Sequence, residues 1–338
     1  MCTRALYVGT DGTVITGRSM DFREDLRTNL WVFPRGIQRD GAAGPGSPRW
    51  VSKYGSVIAA GYDSASTDGM NEKGLVANIL YLAEADYGAI DPARPHLSIT
   101  LWSQYALDQF ATVAEAVGAL RSEPFQIIAP PIPNGVAAQL HLSLSDATGD
   151  SAIFEYLGGK LVIHHGRQYT VMTNSPIYDE QLALNRYWQQ IGGLVFLPGT
   201  NRAADRYARA SFLIDAIPKQ VDPAYIQGVP HQSYAYQAVA SVLSVMRAVG
   251  VPLGITTPGQ PNISSTVWRT VSDQTNKVYY FDSATRPNTF WVSMAKLNLD
   301  QGAPVQELPL ADGQVYSGDV SSQFRAATPF KFGPAASS

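Results

Sequence analysis

The Asp11-Gly12 pair constrains this chain most, because it lies between two β-branched runs and turns the amino end back on itself. Residues 3–10 and 13–20 read as strands, and Asp-Gly between such runs signals a hairpin with a two-residue turn. That turn pairs Thr10 with Thr13 and, carried back along the ladder, sets Cys2 directly opposite Asp21. Arg18 stands three residues before Asp21, so a regular strand would point the two to opposite faces. For both to reach Cys2, the second strand has to bulge between them, and bulges collect beside active sites.

Cys2 is the only cysteine, and removal of Met1 makes it the N-terminal residue. A free N-terminal cysteine carries a nucleophile and a base together, with a thiol pKa of about 8.5 and an amine pKa of about 7.7–8.0. Such a residue can perform acyl transfer without a catalytic histidine, the amine taking the thiol proton. A carboxylate opposite Cys2 would bond its ammonium, and a nearby guanidinium would favour the thiolate. Taken alone, a cysteine near a chain end is incidental; the rest of the sequence decides.

Composition narrows the partners. A net charge of -3 and a pI near 5.9 argue against nucleic acid, which calls for a basic face. No apolar run approaches the roughly 18 residues of a membrane span. One cysteine allows no internal disulfide. Only Met1 precedes Cys2, so the chain reads as periplasmic where Met1 stands in place of a leader and as cytoplasmic otherwise.

Along the chain, residues 41–48 read as a surface loop, and residues 56–61 and 75–82 as nearly all-apolar strands flanking a turn at 71–74. Residues 97–107 have helical spacing, and Thr112 with Glu115 fits a capping box for a helix ending near Leu120. An irregular connection at 130–135 precedes strands at 139–145, 151–156, 161–165 and 169–173. Helices follow at 180–188, 203–214 and 234–249, then strands at 267–271, 277–282 and 289–293. The tail from about residue 326 is rich in Pro, Ala and Ser and reads as loose. With no repeat or interior linker, residues 1–338 form one domain. Strands flanked by separate groups of helices imply two layers of sheet between layers of helix.

Four positions carry a bland reading beside a sharper one. Tyr81, ending an apolar strand, is ordinarily a packed aromatic. Asn174 before Ser175-Pro176 ordinarily opens a turn; its amide could instead donate into an oxyanion hole. Arg206 and Arg209, three apart on a helix, ordinarily face solvent. Phosphate loops, dinucleotide fingerprints, Gly-x-Ser-x-Gly elbows and zinc-protease helices are absent from the sequence. His164 and His165 would face opposite ways in a strand, and the other three histidines have no ligand-like spacing, so no metal site is expected.

The motifs taken together resemble the choloylglycine hydrolase family of N-terminal-nucleophile hydrolases, most of all the penicillin V acylases of Gram-negative bacteria. They are Cys2-Thr3-Arg4, residues 17–22 (GRSMDF), residues 70–75 (MNEKGL), Thr173-Asn174-Ser175-Pro176, and Leu197-Pro198-Gly199-Thr200 followed by residues 206–209 (RYAR). The resemblance implies an α+β fold, a four-layer αββα sandwich, that hydrolyses a linear amide in a small-molecule N-acyl substrate. Cys2 would be nucleophile and, through its freed amine, base, with Arg18 and Asp21 holding and polarising it. Asn174 and the Tyr81 position would supply the oxyanion donors, Arg206 would complete the site, and Arg209 would lie at its periphery. Penicillin V and N-acyl-homoserine lactones are the implied substrates, the latter a quorum-quenching activity, with no cofactor. Gram-negative acylases commonly carry Trp at the positions of Phe22 and Tyr81; both residues here remain aromatic and able to bind an acyl group. The family implies a homo-oligomer, a tetramer in Gram-positive members, although the segment between Asn174 and Arg206 is shorter here than in bile salt hydrolases. Bile salt hydrolysis is the alternative, disfavoured by Tyr81 where those enzymes carry Asn. A non-catalytic binding protein is another, disfavoured by the intact set Cys2, Arg18, Asp21, Asn174 and Arg206.

Overall fold

In the computed structural model, which describes residues 1–129, 138–192, 196–255 and 264–333, the first hairpin lies within a seven-stranded sheet. Its strands are β1 (Cys2–Val8) and β2 (Val14–Phe22). The sheet runs Val171–Met172, β1, β2, Ser265–Asp273, Val278–Ser283, Thr289–Ser293 and Gly318–Asp319, antiparallel except for the last pair. The second sheet has nine antiparallel strands, with Val76–Tyr81 between Ala65–Asn71 and Leu140–Ser145.

Both sheets are covered on both faces, which is why their strands carry so few exposed positions. Along Val76–Tyr81, Val76 and Leu80 pack toward the first sheet, whereas Ala77 and Ile79 pack toward helices α1 (Trp102–Gln109) and α2 (Val113–Leu120). On the far side, α3 (Tyr178–Ile191), α4 (Ala203–Ala216) and α5 (Tyr234–Ala248) cover the first sheet, α4 against β1 and α5 against β2. The result is the four-layer αββα sandwich.

The hairpin register differs from the expectation by one residue. Gly9 N–H donates to Thr13 O at 2.8 Å and Gly12 N–H to Gly9 O at 3.2 Å, so Thr10-Asp11-Gly12 form a three-residue loop. Gly12 takes a φ of 86°, the left-handed conformation that closes such a loop. Cys2 therefore pairs with Met20, and Met1 sits opposite Asp21.

Other departures have local causes. The strand Ala65–Asn71 (ASTDGMN) is too polar to read as one, yet it is buried because Asp68 points into the layer between the sheets and finds partners there. The expected helix at 97–107 begins instead as the strand His96–Ser98, paired with Gln126–Ile128, before a single 3-10 turn leads into α1. Thr112 caps α2 as expected, accepting from Glu115 N–H. The connection at 130–135 lies outside the described residues.

The tail is not loose through residue 333. Arg325–Ala326 pairs with Gln306–Leu308, and the Phe330 ring lies 5.2 Å from Trp31 and 5.9 Å from Phe33. Arg39 lies over both Phe33 and Phe332. Two aromatics in a Pro- and Ala-rich stretch thus anchor it to the outer face of the second sheet. Truncation after Ala327 should cost about 2–3 kcal/mol of apolar burial and lower the thermal midpoint by roughly 4–10 °C. An unchanged melting curve would show that this packing contributes nothing.

Candidate active site

The register decides what surrounds Cys2. Side chains of paired residues share a face, so Cys2, Met20 and Arg18 point into the layer between the sheets. Arg18 Nη2 lies 3.7 Å from Cys2 Sγ and donates to Ile79 O at 3.1 Å, while its guanidinium covers the Trp268 ring at 4.5 Å. Asp21 points the other way, toward α4. Its Oδ1 accepts from Thr266 Oγ1 at 2.6 Å and its Oδ2 lies 3.5 Å from Arg206 Nη1.

Arg18 and Asp21 do not reach the same side of Cys2, and β2 runs regularly against β1. The expected bulge is on the neighbouring strand, between Thr266 and Trp268, where it brings Thr266 opposite Asp21 while Trp268 stays opposite Met20. Arg18 addresses the sulfur. Arg206, paired with Asp21, addresses the backbone, its Nη1 donating to Cys2 O at 2.5 Å. Burial pushes the Arg206 guanidinium below its ordinary pKa, and the neighbouring Asp21 and Cys2 oppose that shift.

Asn174 ties three elements together. Its Oδ1 accepts from Cys2 N–H at 2.6 Å and from Arg206 Nη2 at 2.8 Å, and its Nδ2 donates to Tyr81 O at 2.6 Å. The neighbouring Leu82 N–H bonds to Gln139 O, so alternation turns the Tyr81 N–H and C=O away from that partner strand. Pairing on the other side ends at Asn78 with Asp68. The Tyr81 N–H therefore lies on the side where Asn174 meets its carbonyl. The Tyr81 ring, 39% exposed, stands at the open end of the strand.

Of the remaining candidates, Phe22 lines a cavity of about 300 Å³ together with Val267, Trp268, Phe281 and Leu310. Arg209 is peripheral, donating to Pro198 O and Thr200 O. His164 and His165 part to Asp179 and Asp150. Among the described residues no group of His, Cys, Asp and Glu side chains converges as a metal site requires. Nor is any described helix long and apolar enough to cross a membrane.

Sequence reasoning missed Asp68. Its carboxylate accepts from Tyr279 Oη at 2.5 Å, Asn78 Nδ2 at 2.6 Å and Thr270 Oγ1 at 3.2 Å, and Thr270 is the cross-strand partner of Arg18. Only strand topology joins these residues; no local motif marks them.

A family model described as linear amide C–N hydrolases, choloylglycine hydrolase family, matches residues 2–307. The chain belongs to that family. It is an amidohydrolase. A penicillin V acylase of Pectobacterium atrosepticum is 48% identical over 348 residues, covering 98% of this chain and 92% of that protein. A bile salt hydrolase/transferase of Clostridium perfringens is more distant, 29% identical over 65% of this chain and 73% of that protein. The solved structure of a penicillin V acylase from Agrobacterium tumefaciens matches with a TM-score of 0.89 at 56% identity, covering 99% of this chain and all of that one. A conjugated bile acid hydrolase from Clostridium perfringens shares the fold, with a TM-score of 0.75 at 22% identity over 94% of this chain and 98% of that one.

Burial raises the Asp68 carboxyl above its ordinary pKa, with the Arg18 charge and the three hydrogen bonds pulling the other way. A carboxyl raised on folding binds its proton more tightly in the folded state. Its contribution is fully present below the ordinary value of 3.8 and is lost as pH rises through the folded value. Asp68→Asn removes this linkage. The stability of wild type relative to the variant should therefore fall as pH rises above the ordinary value of 3.8, read from urea midpoints across a pH series; a gap that widens with pH would reverse the assigned sign.

Proposed function

We propose that the protein hydrolyses penicillin V at its side-chain amide, giving phenoxyacetate and 6-aminopenicillanic acid, once Met1 is removed and the Cys2 nitrogen is a free amine. The observation that carries this is the Asn174 side chain, whose two ends hold Cys2 N and Tyr81 O, each at 2.6 Å. One amide group thus links the prospective base to the strand that offers a second donor. Identity of 48% and 56% to proteins named penicillin V acylase supports the substrate.

In the proposed reaction Cys2 Sγ attacks the amide carbonyl and the Cys2 amine takes the thiol proton. Arg18, 3.7 Å from the sulfur, favours the thiolate. Asn174 Nδ2 has a second proton beyond the one given to Tyr81 O, and with the Tyr81 N–H it stabilises the oxyanion, about 2.7–4 kcal/mol per donor. As the tetrahedral intermediate collapses, the C–N bond breaks and the ammonium returns its proton to the leaving amine. Water then hydrolyses the thioester. Asp21, whose Oδ2 lies 3.5 Å from Arg206 Nη1, is assigned to receive the new ammonium.

The aromatic positions Phe22 and Tyr81 are assigned to the acyl group, and N-acyl-homoserine lactones fit the same assignment, since an apolar pocket discriminates added methylenes only modestly. We further propose a homo-oligomer, a tetramer by family resemblance. Leu184, Tyr187 and Ile191 on α3 and Phe196 beyond it are exposed, in the segment where the family's assembly insert lies.

Intact mass and penicillin V turnover on one sample test the mechanism. Loss of Met1 with activity is expected, and Cys2→Ser and Asn174→Ala should lower kcat by about 10²–10³ or more. Full turnover with Met1 retained would remove the Cys2 amine from the mechanism, and glycocholate cleaved faster than penicillin V would overturn the substrate. Sedimentation velocity reads the assembly: Tyr187→Glu is expected to shift the oligomer to smaller species, and a monomeric parent would end that proposal.

A further inference from the structure

Two buried titratable side chains take no part in the chemistry above, yet they touch both ends of the segment that carries Asn174. His141 lies on the strand Leu140–Ser145, where it pairs with Leu80, the residue before Tyr81. Glu155 lies on the adjacent strand Ser151–Leu157, across the ladder from it. Both side chains are fully buried, with His141 Nδ1 3.0 Å from Glu155 Oε1. His141 Nε2 lies 2.9 Å from Thr173 O, and Glu155 Oε2 accepts from Tyr178 N–H at 3.1 Å.

Proton counting fixes how the pair works. The Thr173 carbonyl can only accept, so Nε2 carries a proton. Nδ1 faces a carboxylate oxygen, so one further proton lies between imidazole and carboxyl. The pair is neutral overall, and every polar atom it presents is satisfied. It grips Thr173 from one side and Tyr178 from the other, bracketing Asn174, Ser175, Pro176 and Ile177. Gln181 completes the clamp, accepting from Thr173 Oγ1 at 2.8 Å and donating to the carbonyls of Asn174 and Pro176.

We infer that His141 and Glu155 are positioning residues that hold the 173–178 segment so that the Asn174 amide points at the oxyanion; this rests on the role given to Asn174 above. A buried charge or polar group without such a task is ordinarily replaced by apolar packing at no loss of stability. Here the replacement would free a carbonyl and an N–H that flank the donor. Positions of this kind act on kcat, because a donor misplaced by about 1 Å can cost on the order of 10²-fold while leaving ground-state binding alone.

The test is a double-mutant cycle on penicillin V. Glu155→Leu should lower kcat by about 10–100-fold with KM within about threefold. In an Asn174→Ala background the same substitution should cost less than about twofold, because the donor it positions is gone. Glu155→Gln can donate to Nδ1 and still accept from Tyr178 N–H, so it should restore kcat to within about fivefold of wild type. If Glu155→Leu does not fold, His141→Gln, which reaches only one of the two partners, takes its place with the same expectation. An equal loss in both backgrounds, a rise in KM that accounts for the fall in kcat/KM, or failure of Glu155→Gln to recover would overturn the inference. Should wild type leave penicillin V intact, the substrate assignment fails instead, and the cycle is read on hydrolysis of p-nitrophenyl phenylacetate.

Discussion

The ladder between β1 and β2 is the constraint on which the site depends. A strand has a period of two, so a shift of one residue moves every side chain to the other face. With Cys2 opposite Met20, the sulfur enters the layer between the sheets, while Asp21 enters the layer of α4. The thiol and the main chain of Cys2 are thereby separated. The thiol sees Arg18, whereas the nitrogen and carbonyl see Asn174, Arg206 and the peptide opposite. A two-residue turn would have brought Asp21 toward the sulfur and left Arg18 on the helix side.

That separation explains how Arg18 and Arg206, one in each layer, can be buried within one small region. Each would be prohibitively expensive alone, and removing one partner of a buried pair typically costs about 3–5 kcal/mol. Arg206 has Asp21 in its own layer, at 3.5 Å. Arg18 lies over the Trp268 ring and has Asp68 as a neighbouring carboxylate across the sheet interface. Arg4, on the same face as Cys2, is held by Tyr169 O and Ser151 Oγ, and burial pushes it down to about 10. The sheet interface beneath Cys2 is therefore positively biased, which suits the thiolate proposed above.

Much of this was open to sequence reasoning, and the exceptions share a cause. The hairpin is legible from its β-branched runs, but its register is not, since a left-handed glycine closes two- and three-residue loops alike. Cys2, Arg18, Asp21, Asn174 and Arg206 are picked out by their motifs, and in the structure Arg18 lies by the Cys2 sulfur while Asn174, Arg206 and, through Arg206, Asp21 lie by its main chain. Spacing alone could not have joined Asn174 or Arg206 to Cys2, because those contacts close between residues 172 and 204 positions apart in the sequence. Asp68, His141 and Glu155 left no signal. A lone polar residue in a strand reads as the solvent face, and only stacking of a second sheet turns that face into an interior. Phe330 misled in the opposite sense, as one aromatic among Pro and Ala that nonetheless docks on Trp31.

The polar interior has a further consequence for rigidity. Asn174 makes three hydrogen bonds with its side chain alone, to Cys2, Arg206 and Tyr81, which belong to β1, α4 and the second sheet. Arg206 spans Cys2, Thr3 and Asn174 in the same way. Apolar contacts would tolerate sliding of the layers by a fraction of an ångström; directional bonds weaken steeply with angle and do not. The sandwich is held in register at one end by the groups that surround Cys2. Precision at the site and cohesion between the layers thus rest on the same few hydrogen bonds, so a substitution there cannot alter one without the other.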